Sequence, residues 1–346
     1  MKASFKIVIY YAFLLMLLAC EKNNFNANAI DNQIVVQAEI TNCDSTFIPI
    51  AQTVAVGTGN IIKFNKPLSA TVTISDSLGN NIVAHENFSP IFQNNPFAIF
   101  TNAYKIRSNN KYKLYVNSAN CPPVTATTYV PAPISFAQID THSISVLNKP
   151  TLSANIKFKD DIANDNYYII EVLKQRVKIS RYFFYGGTKY DLSIPSDSML
   201  YNRVRVGNNI KILKDTIPLK YYVLQDTYTK DLNTDNAKIS NLEIPFQRIL
   251  MTDAHFNGHM YTTKITIDKK QFIENNIDKQ GRILVRLKSV SKELYLYLFD
   301  YERYFMLFGS IPNNQLIALH SNITNGLGIF GGSYQKQWVF YFEPLN

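Results

Sequence analysis

The stretch Lys111-Tyr112-Lys113-Leu114-Tyr115-Val116 alternates polar-faced and apolar residues at a period of two. Only an extended strand sends successive side chains to opposite faces, so this segment reads as a strand with one dry face and one wet one. The same period runs outward in both directions. Val36, Ala38 and Ile40 alternate with Val35, Gln37 and Glu39, and Ala70, Val72 and Ile74 alternate with Thr71, Thr73 and Ser75. Turn-forming runs such as Asp76-Ser77-Leu78-Gly79-Asn80 separate the segments. One-sided strands joined by short turns predict an antiparallel, immunoglobulin-like β-sandwich over residues 34–131.

Val130-Pro131-Ala132-Pro133-Ile134 closes that domain, because two prolines one residue apart hold an extended linker and stop a strand. Residues 134–346 are expected to form a larger antiparallel β domain. In it Ala154, Ile156 and Phe158 face away from Asn155, Lys157 and Lys159, and Tyr261, Thr263, Ile265 and Ile267 face away from Thr262, Lys264 and Thr266. Two packed helices are expected to interrupt it: a short one over Lys269–Asn275 capped by Asp268, and a longer one from the N-cap Ser291 to about Phe308, ended by Gly309. The three- and four-residue spacing of Leu294, Leu298, Tyr301, Phe305 and Phe308 predicts the stripe that packs on the sheet.

Composition agrees with a mainly β fold. Of 346 residues, 46% are hydrophobic and 18% charged, which is a folding composition and not a disordered one. Tyr and Phe contribute 22 residues each, a bias toward half-buried pleated surfaces. The net charge of +9 comes from lysines and arginines scattered singly, so no stripe for nucleic acid forms, and only a modest attraction toward anionic lipid or glycan is expected.

The first residues carry an address. Lys2 and Lys6 precede thirteen apolar residues from Ile7 to Ala19, and polar Glu21-Lys22-Asn23-Asn24 follow. That stretch is too short to span a bilayer, and residues 1–19 read as a signal peptide. Leu17-Leu18-Ala19-Cys20 has the form of a bacterial lipobox, which makes Cys20 the expected lipidation site and new N-terminus. The Asn-rich residues 20–33 then serve as a tether. The remaining cysteines, Cys43 and Cys121, suit an exported protein with one disulfide; two separate buried thiols are the other reading.

Candidate chemistry is sparse. Gly326-x-Gly328-x-x-Gly331 has the letters of a dinucleotide fingerprint, but the strand-like Gln337–Phe342 follows it, so a glycine-rich turn before the last strand is expected and no cofactor. Asp253, His255 and His259 come nearest to a metal set, with Asp253 and His255 two apart on one strand face; the Asn257-Gly258 turn breaks the helical His spacing, and a solvated turn is expected. Asp160-Asp161-Ile162-Ala163-Asn164-Asp165-Asn166 lacks the glycine and terminal glutamate of a calcium loop and reads as a self-capping connection. Arg181–Tyr190 reads as an aromatic hairpin around Gly186-Gly187; Tyr182, Phe183, Phe184 and Tyr185 are either cross-strand packing or a surface for a partner. No hydrolase signature is present, and no enzyme is expected.

Several of these segments carry a resemblance. The lipobox, Pro67–Asp76, Thr125-Ala126-Thr127 before Val130-Pro131, Asn166-Tyr167-Tyr168, Asp253–Gly258, Leu287–Ser291 and Ser321–Gly331 together are similar to the Bacteroidota lipoproteins of domain-of-unknown-function family 4249. The resemblance carries over no catalytic residues and implies an outer-membrane lipoprotein acting as accessory to a TonB-dependent receptor in surface uptake or assembly. A stand-alone surface module for glycan or peptide is the alternative. The Glu21-Lys22 start is faintly like the acidic signals of surface lipoproteins and favours the outer face.

The lipobox yields the first prediction. Radiolabelled palmitate is expected to mark the wild-type product, and Cys20→Ser is expected to abolish the label and release the protein from the membrane fraction.

Overall fold

A computed structural model describes residues 32–42, 46–56, 61–87, 96–146, 149–162, 164–240, 242–268, 281–307 and 318–342. Cys20, Cys43 and the helix expected over Lys269–Asn275 lie outside the described residues.

The first unit is built of β1 (Ile34–Thr41), β2 (Thr46–Val56), β3 (Ile61–Asn65), β4 (Thr71–Asp76), β5 (Asn81–Glu86), β6 (Ala98–Asn102), β7 (Asn110–Ser118) and β8 (Cys121–Val130). The period of two is realised residue by residue: Val36, Ala38 and Ile40 from β1, Val72 and Ile74 from β4, and Tyr112, Leu114 and Val116 from β7 are all buried in one core. Strands β1, β2 and β6 lie on one side of the sandwich, and β4, β7 and β8 on the other, with β5 bridging them. Cys121 opens β8 and packs in that core. Residues 131–134 belong to no strand or helix, and Ile134 packs in the second core.

The second unit comprises β9 (Ala137–Val146), β10 (Lys149–Lys159), β11 (Tyr167–Tyr185), β12 (Thr188–Asp191), helix α1 (Pro195–Val204), β13 (Leu213–Leu224), β14 (Tyr228–Thr229), β15 (Arg248–Thr252), β16 (Met260–Asp268), β17 (Gly281–Val290), helix α2 (Lys292–Leu307) and β18 (Leu327–Phe342). The four-stranded sheet β14-β16-β10-β9 lays Ala154, Ile156, Phe158, Ile265 and Ile267 onto Tyr168, Ile170, Val285 and Leu287 of the β11–β17 sheet. The opposite face of that sheet, through Ile169, Val290 and Ile329, receives Leu294, Tyr295 and Leu298 of α2.

The last strand joins the units. Its first half runs parallel to β1, from Val35 opposite Leu327 to Thr41 opposite Ser333. Its second half runs antiparallel to β17, from Ser333 opposite Val290 to Phe342 opposite Gly281. Phe330 accordingly belongs to the first core, while Tyr334, Trp338 and Phe340 pack against the second. One path of hydrogen-bonded strands thus runs β12-β11-β17-β18-β1-β2 through both units.

Three sequence expectations are corrected. The expected glycine-rich turn is confined to Asn325, with φ 62°, and Gly326 just ahead of β18; Gly328, Gly331 and Gly332 lie inside the strand, Gly328 and Gly332 passing the backbone of Val36 and Tyr129 and Gly331 the Leu294 side chain. Helix α1 was not expected; Pro195 starts it, since a proline in the first turn loses no hydrogen bond there. The α2 stripe is rotated. Ser291 caps it, its Oγ accepting from the Leu294 N–H at 3.3 Å, but Phe305 is 49% exposed and Glu302 is fully buried instead.

Gly328 has φ +101°, and a Cβ there would sit 1.9 Å from the Val36 carbonyl oxygen. Gly186 also has positive φ but opens into empty space. Gly328→Ala is expected to cost about 3 kcal/mol or more, and Gly186→Ala only the backbone penalty of about 1–2 kcal/mol, both read from urea unfolding.

Candidate functional site

The aromatic hairpin forms as the sequence suggests. β11 ends at Tyr185, Gly186 and Gly187 turn with φ of 56° and 79°, and β12 returns at Thr188. Two left-handed residues suit a two-residue hairpin, whose twist matches the flanking strands. The four aromatic positions divide. Phe183 is buried, stacked on Tyr190 across the hairpin at 5.3 Å between ring centroids and packed on Tyr201 of α1 at 5.2 Å. Tyr182 lies on the other face, where Lys189 sits 3.6 Å over its ring and its hydroxyl donates to Asp215 at 3.1 Å. Phe184, edge-on to Tyr182, is 51% exposed, and Tyr185 is exposed as well.

Where the two units meet, a cleft of about 590 Å³ is lined by Tyr129 and Pro131 from the first and by Asp161, Asp165, Tyr167 and Glu293 from the second. Its floor is fixed by the acidic loop. Asp160, buried, accepts from the Tyr168 hydroxyl and the Gly258 N–H, both at 2.6 Å. Asp253, also buried, accepts from the Asn166 N–H at 2.8 Å. The Asn166 side chain donates to the carbonyls of Asp161 and Asn164, so the loop caps itself. Burial, with the Asp160 and Asp165 charges nearby, raises the Asp253 carboxyl above its ordinary value. Burial and the bond to Asp160 raise the Tyr168 phenol.

The Asp253 and His255 expectation is corrected. These residues occupy a 3-10 turn, Asp253–His255, and not a strand; Asp253 points inward while His255 and His259 are exposed. Among the described residues no group of three His, Cys, Asp or Glu side chains could hold a metal ion.

Sequence reasoning missed a buried charge network beneath the second half of α2. On the sheet face that α2 covers, Glu171 of β11 lies between Lys288 of β17 at 2.8 Å and Arg248 of β15 at 3.1 Å. Arg248 also reaches Glu302 of α2 at 3.1 Å, and Lys288 reaches Glu39 of β1 at 3.0 Å. Ser333 of β18 donates to Glu39 at 2.5 Å, and the Gln247 N–H to Glu302 at 3.2 Å. Three carboxylates share two cations. Burial alone would raise the Glu171 carboxyl, but Lys288 and Arg248 outweigh it and hold the group at about 2. Glu302 goes the other way: its burial exceeds what Arg248 returns, so its carboxyl is raised. A glutamate inside an amphipathic helix normally reads as its wet face, which is why no local signal marked Glu302.

Removing Arg248 leaves the buried Glu302 without a cation and Glu171 with Lys288 alone. Arg248→Ala is expected to cost about 3–5 kcal/mol in urea unfolding at pH 7. Because the Glu171 carboxyl is depressed in the fold, its stabilisation is present above its ordinary 4.5 and is lost as pH falls toward about 2. Glu302, raised, works in the opposite sense. Urea midpoints taken across that acid range are expected to fall less steeply in Glu171→Gln than in the wild type.

No curated protein matches the sequence. Among solved structures, a DUF4785 family protein of Legionella pneumophila is 10% identical with a TM-score of 0.22; the match covers 74% of this chain and 52% of that one, so the chain spans about half its length. A structure titled for the manganese lipoxygenase of Gaeumannomyces graminis and zonadhesin of Komagataella pastoris is 8% identical over 75% and 89% of the two chains, with a TM-score of 0.19. The Enterococcus faecalis MSCRAMM ACE is 7% identical over 88% and 98%, with a TM-score of 0.18. Likenesses this weak carry no argument about fold or function. The family model described as Domain of unknown function (DUF4249) matches residues 22–337, nearly all of the described fold, and the chain belongs to that family.

Proposed function

We propose that this chain is an outer-membrane lipoprotein, anchored through Cys20, that acts without catalysis as accessory to a TonB-dependent transporter in nutrient or cargo uptake. The observation that carries the reading is the cleft between the two units. It sets the rings of Tyr129 and Tyr167 beside the carboxylates of Asp161, Asp165 and Glu293, a combination that stacks on a flat or ring-shaped ligand and accepts its hydroxyl or amine protons. The chemistry is that of holding and not of turnover. Asp160 is already committed to Tyr168 and Gly258, and the Ser291 hydroxyl to the Leu294 N–H and the Gly332 N–H. The stand-alone module for glycan or peptide would use the same cleft.

Purification of the full chain through a C-terminal tag, in mild detergent, is expected to recover a β-barrel transporter with a plug domain. Recovery of the lipoprotein alone would count against the transporter and leave the stand-alone module.

A further inference from the structure

The register places the aromatic hairpin far from the point where the chain enters the fold. Val35 lies level with Leu327; from there the sheet continues fifteen residues along β18 to Phe342, which shares Gly281 with Arg176, and nine more along β11 to Tyr185. At about 3.3 Å per residue that is roughly 80 Å of strand path, shortened by twist. Beyond Arg176, β11 has left β17 and among the described residues pairs only with β12 and β13, so the hairpin, α1 and the 205–212 connection form a projecting lobe.

The lobe sorts its charges. Its acids are hydrogen-bonded within the lobe: Asp191 accepts from Ser180 and the Ser193 N–H, Asp197 from the Asp191 N–H, and the half-exposed Asp215 from Tyr182 and Lys189. Its other cations, Arg181, Arg203, Arg205, Lys211 and Lys214, are all exposed. Among them stand large apolar side chains that the fold leaves in water: Phe184, Tyr185, Ile194, Leu213, Met199 at 68% exposure and Val206 at 78%. Exposed cations, acids held by partners within the lobe, and exposed aromatic and aliphatic groups together match the boundary of an anionic bilayer, where lysine and arginine meet headgroup phosphates and apolar side chains enter the acyl edge.

We propose that the 181–215 lobe is a second membrane contact that binds anionic phospholipid headgroups, and that it rests on the lipoprotein reading above for its bilayer. Residues 20–33 reach at most about 50 Å when fully extended. With the chain entering the fold at one end of the sheet and the lobe at the other, two attachments would lay the molecule along the bilayer.

The test uses the chain beginning at Glu21, which keeps every described residue and lacks the lipid site. It is expected to sediment with vesicles containing phosphatidylglycerol, not with phosphatidylcholine alone, and to be released by salt. The exposed pair Lys211→Glu and Lys214→Glu is expected to weaken binding by more than tenfold, at roughly fivefold for each lost cation before reversal is counted. Phe184→Ser with Met199→Ser is expected to weaken it at fixed charge, with circular dichroism showing both variants folded. Absence of binding, equal binding to both vesicles, or binding unmoved by charge reversal overturns the proposal. A photo-crosslinker at position 184 that joins the lobe to a protein in cells, with no vesicle binding, assigns it to a protein partner instead. Palmitate labelling reads the anchor separately, so the two readings fail independently.

Discussion

β18 divides its sixteen residues between two partners, and the rest of the molecule is arranged around that division. Its first half completes the edge of β1 and its second half the edge of β17, so each unit owes one strand to the same segment. The close approach demands glycine. Gly328 passes the Val36 backbone, Gly331 lies against Leu294 of α2, and Gly332 passes the Tyr129 carbonyl. Side chains at these points would hold the first half of β18 off β1 and leave the first unit with an open edge.

The junction at Ser333 is also where the polar interior begins. Glu39, Glu171, Lys288 and Arg248 come from four different strands, and Glu302 from the helix above them. Buried ions of this kind add little net stability over an apolar filling. Each cation here nevertheless serves two carboxylates, so a shift of β1, β17 or α2 leaves a charge unpaired. The network therefore resists sliding of the helix and of the first strand against the second unit. The apolar contact of Leu294, Tyr295 and Leu298 holds the first half of α2; the ions fix the second.

Much of this was legible in the sequence, and the limits have physical causes. Strands with one wet face announce themselves by alternation, so β1, β4, β7, β10 and β16 could be read directly, as could the Ser291 cap and the Gly186-Gly187 hairpin. Helix α1 carries little amphipathic signal, since only Val204 of its residues is buried. Residues in α2 betrayed the periodicity argument because it assumes an apolar floor. Under Glu302 the floor is charged, and Phe305 is left in water. Asp253 and His255 were placed on one face by assuming a strand, where the chain instead makes a tight turn that sends them apart. The cleft draws residues from positions 129 to 293, a combination no local pattern can reveal.

A parallel pairing between the first and last described strands has a consequence in time. On the ribosome β1 must wait until β18 has been made before it gains its second neighbour. Until then the sandwich carries an unpaired border rich in Val and Ile, the kind of template on which nascent chains stick to one another. Contacts of such wide separation also close slowly. That border is therefore the last edge of the sandwich to close, and shielding it meanwhile bears on yield.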